Sequence, residues 1–182
     1  MRKNSSIQKI IYVALFAVFI AICAWISIPF IIPFTMQTFA VFLAFYVLGG
    51  KLGTISVLVY LTLGAIGIPV YSGFSCGVSV LFGMNGGYML GWILSGLIVW
   101  LFDALPIKRF VSRIISSVIG LAVSYVTGMA WFMTVYASST GEIGLLAAFS
   151  MCILPFIIPD AVKLTLAVLL AKRMEKAVAH TH

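Results

Sequence analysis

One acid and one base stand three residues apart at the entrance to the last hydrophobic stretch, Pro155-Phe156-Ile157-Ile158-Pro159-Asp160-Ala161-Val162-Lys163. On insertion scales an Asp or Lys at the centre of a membrane helix costs about 2.5–3.5 kcal/mol. Charges placed at such depth generally serve a site. At i and i+3 the two side chains share a helix face. A lysine there can meet an anionic group, and an aspartate can accept N–H donors. Pro159 suits the first residue of a helix, where its missing N–H costs nothing, which puts Asp160 in a first turn whose dipole favours negative charge. Ala167 and Ala171 continue the face with small residues suited to close helix packing. The competing reading is a self-paired Asp–Lys that only tethers a helix end.

Other polar side chains fall at segment ends on the same level: Thr35, Gln37 and Thr38 open the second hydrophobic stretch, Asn85 and Tyr88 the fourth. Gly83, Gly86 and Gly87 flank Asn85, where absent side chains let backbone approach a ligand or a neighbour. Trp25, Phe34, Tyr71, Phe74 and Tyr88 supply aromatic surface. An apolar wall with a few convergent polar groups is the usual small-molecule pocket. The candidate binding set is therefore Asp160, Lys163, Asn85, Gln37, Thr35, Tyr88, Phe74 and Trp25.

Composition states what must position them. Of 182 residues, 63% are hydrophobic and only 8% charged, with a mean hydropathy of +1.22. A soluble domain carries about 25% charged residues, so this is an all-α integral membrane protein in contact with lipid. The net charge of +7 does not indicate nucleic acid, because the basic residues sit at segment ends rather than along a stripe. Spans are expected at about 7–30, 34–50, 52–70, 85–102, 110–136 and 159–174, with an external loop at 71–84, in a single domain of residues 1–182. The first is expected to be an uncleaved helix after the basic start of residues 1–6. With six spans, Arg2, Lys3, Lys9, Lys51, Lys108, Arg109, Arg113, Lys172, Arg173 and Lys176 all fall on one side. The positive-inside rule makes that side, and both termini, cytoplasmic. Asp160 and Lys163 then lie toward the external face.

Several chemistries find no support. Gly49-Gly50-Lys51 lacks the first glycine and the Ser/Thr of a P-loop. Cys23, Cys76 and Cys152 have no C-x-x-C spacing, and His180 and His182 read as solvated tail residues. With four acids in all, no nucleophile–base pair and no metal-ligand cluster can be assembled, so neither an enzyme nor a cofactor is expected. Ala14, Ala17, Ala21 and Ala24 form a small-residue stripe on the first span. Such a stripe serves either packing within the bundle or docking of another membrane subunit.

Four ordered motifs carry a resemblance over roughly residues 10–172. They are Pro33-Phe34-Thr35-Met36-Gln37-Thr38-Phe39-Ala40-Val41, Tyr60-Leu61-Thr62-Leu63-Gly64-Ala65-Ile66-Gly67-Ile68-Pro69-Val70, Gly83-Met84-Asn85-Gly86-Gly87-Tyr88 and the Pro155–Lys163 stretch. Together they resemble the BioY family, the biotin-binding S components of energy-coupling factor (ECF) transporters. The third motif departs from the family's frequent Gly-Pro-Thr-Gly-Gly-Tyr at Met84 and Asn85. The resemblance implies an S-component fold of six membrane helices with cytoplasmic termini. It implies biotin as ligand, bound by Asp160 and Lys163 with Gln37 and Asn85 nearby. It further implies that the alanine stripe docks on a transmembrane coupling subunit served by two ATPases, in a prokaryotic plasma membrane. A stand-alone proton-coupled carrier of a small carboxylate and a non-transport scaffold are the alternatives.

Overall fold

The computed structural model describes residues 6–29, 32–106 and 108–180, without the side chains of residues 109, 139 and 175–180. Residues 1–5 of the basic start, Arg2 and Lys3 among them, Phe30 at the expected end of the first span, and His182 lie outside the described residues. The described chain is mostly helical: α1 (Ser6–Trp25), α2 (Gln37–Leu48), α3 (Gly50–Ala65), α4 (Val78–Leu81), α5 (Gly86–Asp103), α6 (Arg109–Ser139), α7 (Leu145–Cys152) and α8 (Leu154–His180). Two short strands, β1 (Ser27–Ile28) and β2 (Phe34–Thr35), pair antiparallel between α1 and α2. Pro29 and Pro33 bracket that connection. Each lies outside the ladder, where its missing donor is harmless.

Four segments are long and apolar enough to cross a membrane: α1, α5, the bulk of α6, and Leu145–Met174. Helices α2 and α3 have 12 and 16 residues, so they reach about 18 and 24 Å at 1.5 Å per residue. Only Gly49 separates them. Its φ of 84° is open to glycine and costly for a side chain, and this one residue sets the tight reversal. The outward faces remain apolar, with Ile7, Ile10, Leu15, Val18, Leu101 and Val126 all more than half exposed. Water would not tolerate so continuous an apolar exterior, whereas lipid does.

The core joins α1, α2, α3, α5 and α8. Close approach is built in at α5 and α6: a Cβ added to Gly87 would lie 2.3 Å from that of Trp131 and 2.5 Å from the Thr127 carbonyl. Gly87, two residues from Asn85, thus serves a neighbouring helix. Ala167 and Ala171 are buried on α8, which packs on α2.

Two expectations are corrected here. Helix α8 starts at Leu154, so Pro155 occupies its first turn and Pro159 lies inside the helix. The break comes at Ile153, between α7 and α8. Asp160 is therefore beyond the first turn, and side chains rather than a helix terminus hold it. The alanine stripe also differs. Ala17, Ala21 and Ala24 are 1%, 4% and 0% exposed and belong to the core shared with α2 and α3, while Ala14 alone is exposed. In this chain three of the four alanines pack internally. Ala17→Leu or Ala21→Leu should overpack that core and lower stability by about 1–3 kcal/mol, read as a lower melting temperature of the detergent-purified protein.

The expected loop 71–84 is partly ordered by short helices, a 3₁₀ turn at Ser72–Phe74 and α4. Tyr71 anchors it. Its ring fills the space over Gly64, and its hydroxyl donates to the Leu61 carbonyl at 2.6 Å. Burial pushes the Tyr71 hydroxyl above its ordinary pKa, so it stays a donor.

Candidate binding site

A cavity with about 110 Å³ of space open to the centres of water molecules lies between these elements. About 10–15 Å³ of such space holds a single water, so this cavity is several times the size a lone water needs. The β2–α2 corner lines it with Thr35, Gln37 and Thr38, and the loop after α3 with Tyr71, Ser72 and Ser75. From α5 come Tyr88, Met89 and Trp92, with Asn85 at its cap. Helix α6 adds Leu121, Ser124 and Tyr125, and α8 adds Phe156, Asp160 and Lys163.

The charged pair is assembled as its spacing suggests. Lys163 Nζ donates to Asp160 Oδ1 at 2.8 Å, and each residue is only 4% exposed. The second carboxylate oxygen, Oδ2, accepts from Tyr125 Oη at 2.8 Å. Lys163 Nζ also lies 4.0 Å from the centre of the Phe34 ring, which attracts the cation through its π face. Phe34 in turn stacks on Phe156 at 6.4 Å. A buried ion pair needs such extra partners, because mutual attraction alone rarely offsets the loss of water.

The opposite polar group is braced from within. Gln37 N–H donates to Thr35 Oγ1 at 3.3 Å, and Thr35 Oγ1 donates to Gln37 Oε1 at 3.0 Å. Gln37 Nε2 donates to Tyr60 Oη at 2.6 Å. This network fixes the Gln37 amide while leaving it part of its hydrogen-bonding capacity. Tyr88 Oη donates to the Cys152 carbonyl at 2.7 Å, joining α5 to the α7–α8 junction. Asn85 is different: its Oδ1 is buried and without a hydrogen-bond partner. Buried polar atoms are nearly always paired, so this unpaired oxygen on the cavity wall stands apart among the described residues.

Six of the eight candidate residues meet here: Asp160, Lys163, Asn85, Gln37, Thr35 and Tyr88. Trp25 and Phe74 do not line the cavity. They stack on each other with ring centres 5.0 Å apart, at 39% and 63% exposure, and Trp25 Nε1 donates to the Pro69 carbonyl. They behave as interface aromatics, which carry one apolar and one wet edge. The contribution of α6 was missed from sequence. A signal existed: Ser112, Ser116, Gly120 and Ser124 recur every four residues and run to Tyr125. These three serines and Ser117 are at most 2% exposed, and a buried polar stripe in a membrane helix marks the face turned inward.

Comparison with known proteins bears on the family and the fold. The chain is 38% identical over 170 residues to the "Biotin transporter BioY" of Thermotoga maritima, covering 93% of this chain and 96% of that protein. It is 38% identical over 169 residues to the "Probable biotin transporter BioY" of Pyrococcus horikoshii, covering 92% and 96%. Its fold superposes with a TM-score of 0.81 on the crystal structure of the S-component for biotin from an ECF-type ABC transporter, at 29% identity over 97% of this chain and 95% of that one. A sequence model of the BioY family matches residues 1–180, and the chain belongs to that family.

Proposed function

We propose that this chain is the biotin-binding S component of an ECF-type transporter, taking biotin from the external side of the plasma membrane and working with a transmembrane coupling subunit and two ATPases. The observation that carries the ligand assignment is the 2.8 Å contact between Lys163 and Asp160 inside the cavity. It presents a fixed donor and a fixed acceptor side by side. Biotin's ureido edge carries a carbonyl beside N–H groups, the complementary pattern. Its carboxylate lies a five-carbon chain away. A ligand carboxylate bound at Lys163 would sit against Asp160, where like charges repel. Both charges therefore read the ureido end: Lys163 the carbonyl, Asp160 an N–H. The Asn85 orphan oxygen is a further acceptor for the second N–H. The hydroxyls of Thr38 and Ser72, which line the same cavity, are donors for the carboxylate.

Equilibrium binding of labelled biotin to the detergent-purified protein tests the function directly. Saturable binding near one per chain is expected, and its absence would remove the proposal. The orientation has its own test. Lys163→Ala should weaken biotin and biotin methyl ester by the same factor. A loss confined to the free acid would place the carboxylate at Lys163 instead.

The six-span topology with both termini cytoplasmic is part of the same proposal. Membrane crossings by α1, α2, α3, α5, α6 and α8 supply six. Lys51 and Arg113 border a second cavity with Asp103, and Lys172 Nζ lies 5.4 Å from the Phe110 ring. These bases thus gather around the α2–α3 and α5–α6 turns, as the positive-inside rule asks of a cytoplasmic end. Single cysteines at Lys108 and at Gly141, in a background without Cys76, should label from the inside and outside respectively with an impermeant maleimide. In liposomes, uptake should require the coupling subunit, the ATPases and ATP; uptake by this chain alone under a pH gradient would point to a proton-coupled carrier.

A further inference from the structure

The carboxylate of Asp160 is gripped from two helices. Lys163, one turn along α8, holds Oδ1, and Tyr125, from α6, holds Oδ2, each at 2.8 Å. The terminal torsion of an aspartate is broad, so a single bond from Lys163 would leave the carboxylate plane free to swing. Two donors from different directions fix it. Each oxygen accepts about two hydrogen bonds, so one position per oxygen remains for a ligand. Tyr125 itself lines the cavity, beside the carboxylate it orients.

We infer that Tyr125 is a specificity-determining positioning residue, which holds the Asp160 carboxylate in the plane that accepts a cyclic ureido N–H and so lets the site prefer ureido ligands over carboxylic acids of similar shape. This inference rests on the proposed biotin function and adds a residue from a helix that presents no charge to the cavity. A hydrogen bond to a charged group contributes more than a neutral one. Losing the orienting donor should therefore be felt by ligands that use Asp160 and by no others.

The test compares biotin with lipoate, which shares the five-carbon acid tail and a sulfur ring but has no ureido N–H. Both are measured in competition against labelled biotin on the purified full chain. Tyr125→Phe should weaken biotin about tenfold and leave lipoate within twofold, so the preference falls about tenfold. In an Asp160→Asn background, adding Tyr125→Phe should change biotin affinity by less than twofold, because the residue acts through the lost carboxylate. Tyr125→Leu is a second deletion of the donor should Tyr125→Phe not fold, and the same fall in preference is required of it. Equal losses for both ligands, or full additivity with Asp160→Asn, would overturn the inference. If the wild-type chain binds no biotin, the proposed function falls first; if it binds and the preference is unmoved, only the role of Tyr125 falls.

Discussion

Asp160→Asn and Lys163→Ala should each weaken biotin at least a hundredfold in equilibrium binding to the purified protein. Asp160→Asn removes the negative charge from a carboxylate that is 4% exposed and bonded to both Lys163 and Tyr125. A hydrogen bond involving a charge contributes about 1.5–3 kcal/mol, and every 1.4 kcal/mol is tenfold in affinity. With the partner's alignment lost as well, two such interactions fail together. Lys163→Ala is expected to be worse for the protein itself, since it strands a buried carboxylate and removes the cation over Phe34. Breaking a buried pair from one side costs about 3–5 kcal/mol of stability. Asp160→Asn combined with Lys163→Met should melt higher than Lys163→Ala alone, because neither charge is left behind, yet it should bind no better. Unchanged biotin affinity in both single variants would refute the assignment. A double variant that regained affinity would show that the pair supports the fold and not the ligand.

Arg113→Ala should be the most destabilising single change away from the proposed biotin cavity. Arg113 is 3% exposed, with Nε 3.4 Å from Asp103 Oδ1, and Nη1 donates to the Tyr46 carbonyl. Asp103 uses its other oxygen, Oδ2, to accept the Gly50 N–H at 2.8 Å, where α3 begins. One guanidinium and one carboxylate thus tie α6 to the end of α2, and α5 to the start of α3. Removing the arginine leaves Asp103 with half its partners and should cost about 3–5 kcal/mol, seen as a much lower melting temperature. Arg113→Lys should recover only part, because a single ammonium cannot span the carboxylate and the carbonyl as the planar fork does. Asp103→Asn should cost less than Arg113→Ala, as Asp103 is 22% exposed and an amide oxygen can still accept from Gly50. Biotin affinity per folded molecule should be unaffected by Arg113→Lys. A melting temperature within a degree or two of wild type for Arg113→Ala would mean that helix packing alone holds this end.

The alanine stripe and the charged pair show where sequence reading stops. Both were visible as spacing. Asp160 and Lys163 proved to face each other because i and i+3 on a helix fixes neighbours whatever surrounds it. Ala17 and Ala21 could face either a sister helix or another subunit, because small residues serve close packing equally in both. Only the placement of α2 and α3 decides, and it turns them inward. Pro159 misled for a related reason: proline is common at a helix start, but a preceding proline at 155 can take that role, leaving Pro159 within the helix. Trp25 and Phe74 were drawn into the site by their type, and the structure stacks them outside it.

The sequence by itself determined that this is a helical membrane protein, since 8% charged residues cannot cover a surface facing water. It also placed an acid and a base together near the entrance of the last helix, because one helical turn suffices to pair them. The tertiary structure alone decided what surrounds that pair: the ring of Phe34, the hydroxyl of Tyr125 and the unpartnered oxygen of Asn85, from three segments distant in the chain. The reason is physical. Periodicity reports which face of one helix is polar, but a binding site is an intersection of several faces. Helix rotation and approach, set here by glycine contacts between α5 and α6 and by the buried alanines of α1 and α8, fix where those faces meet.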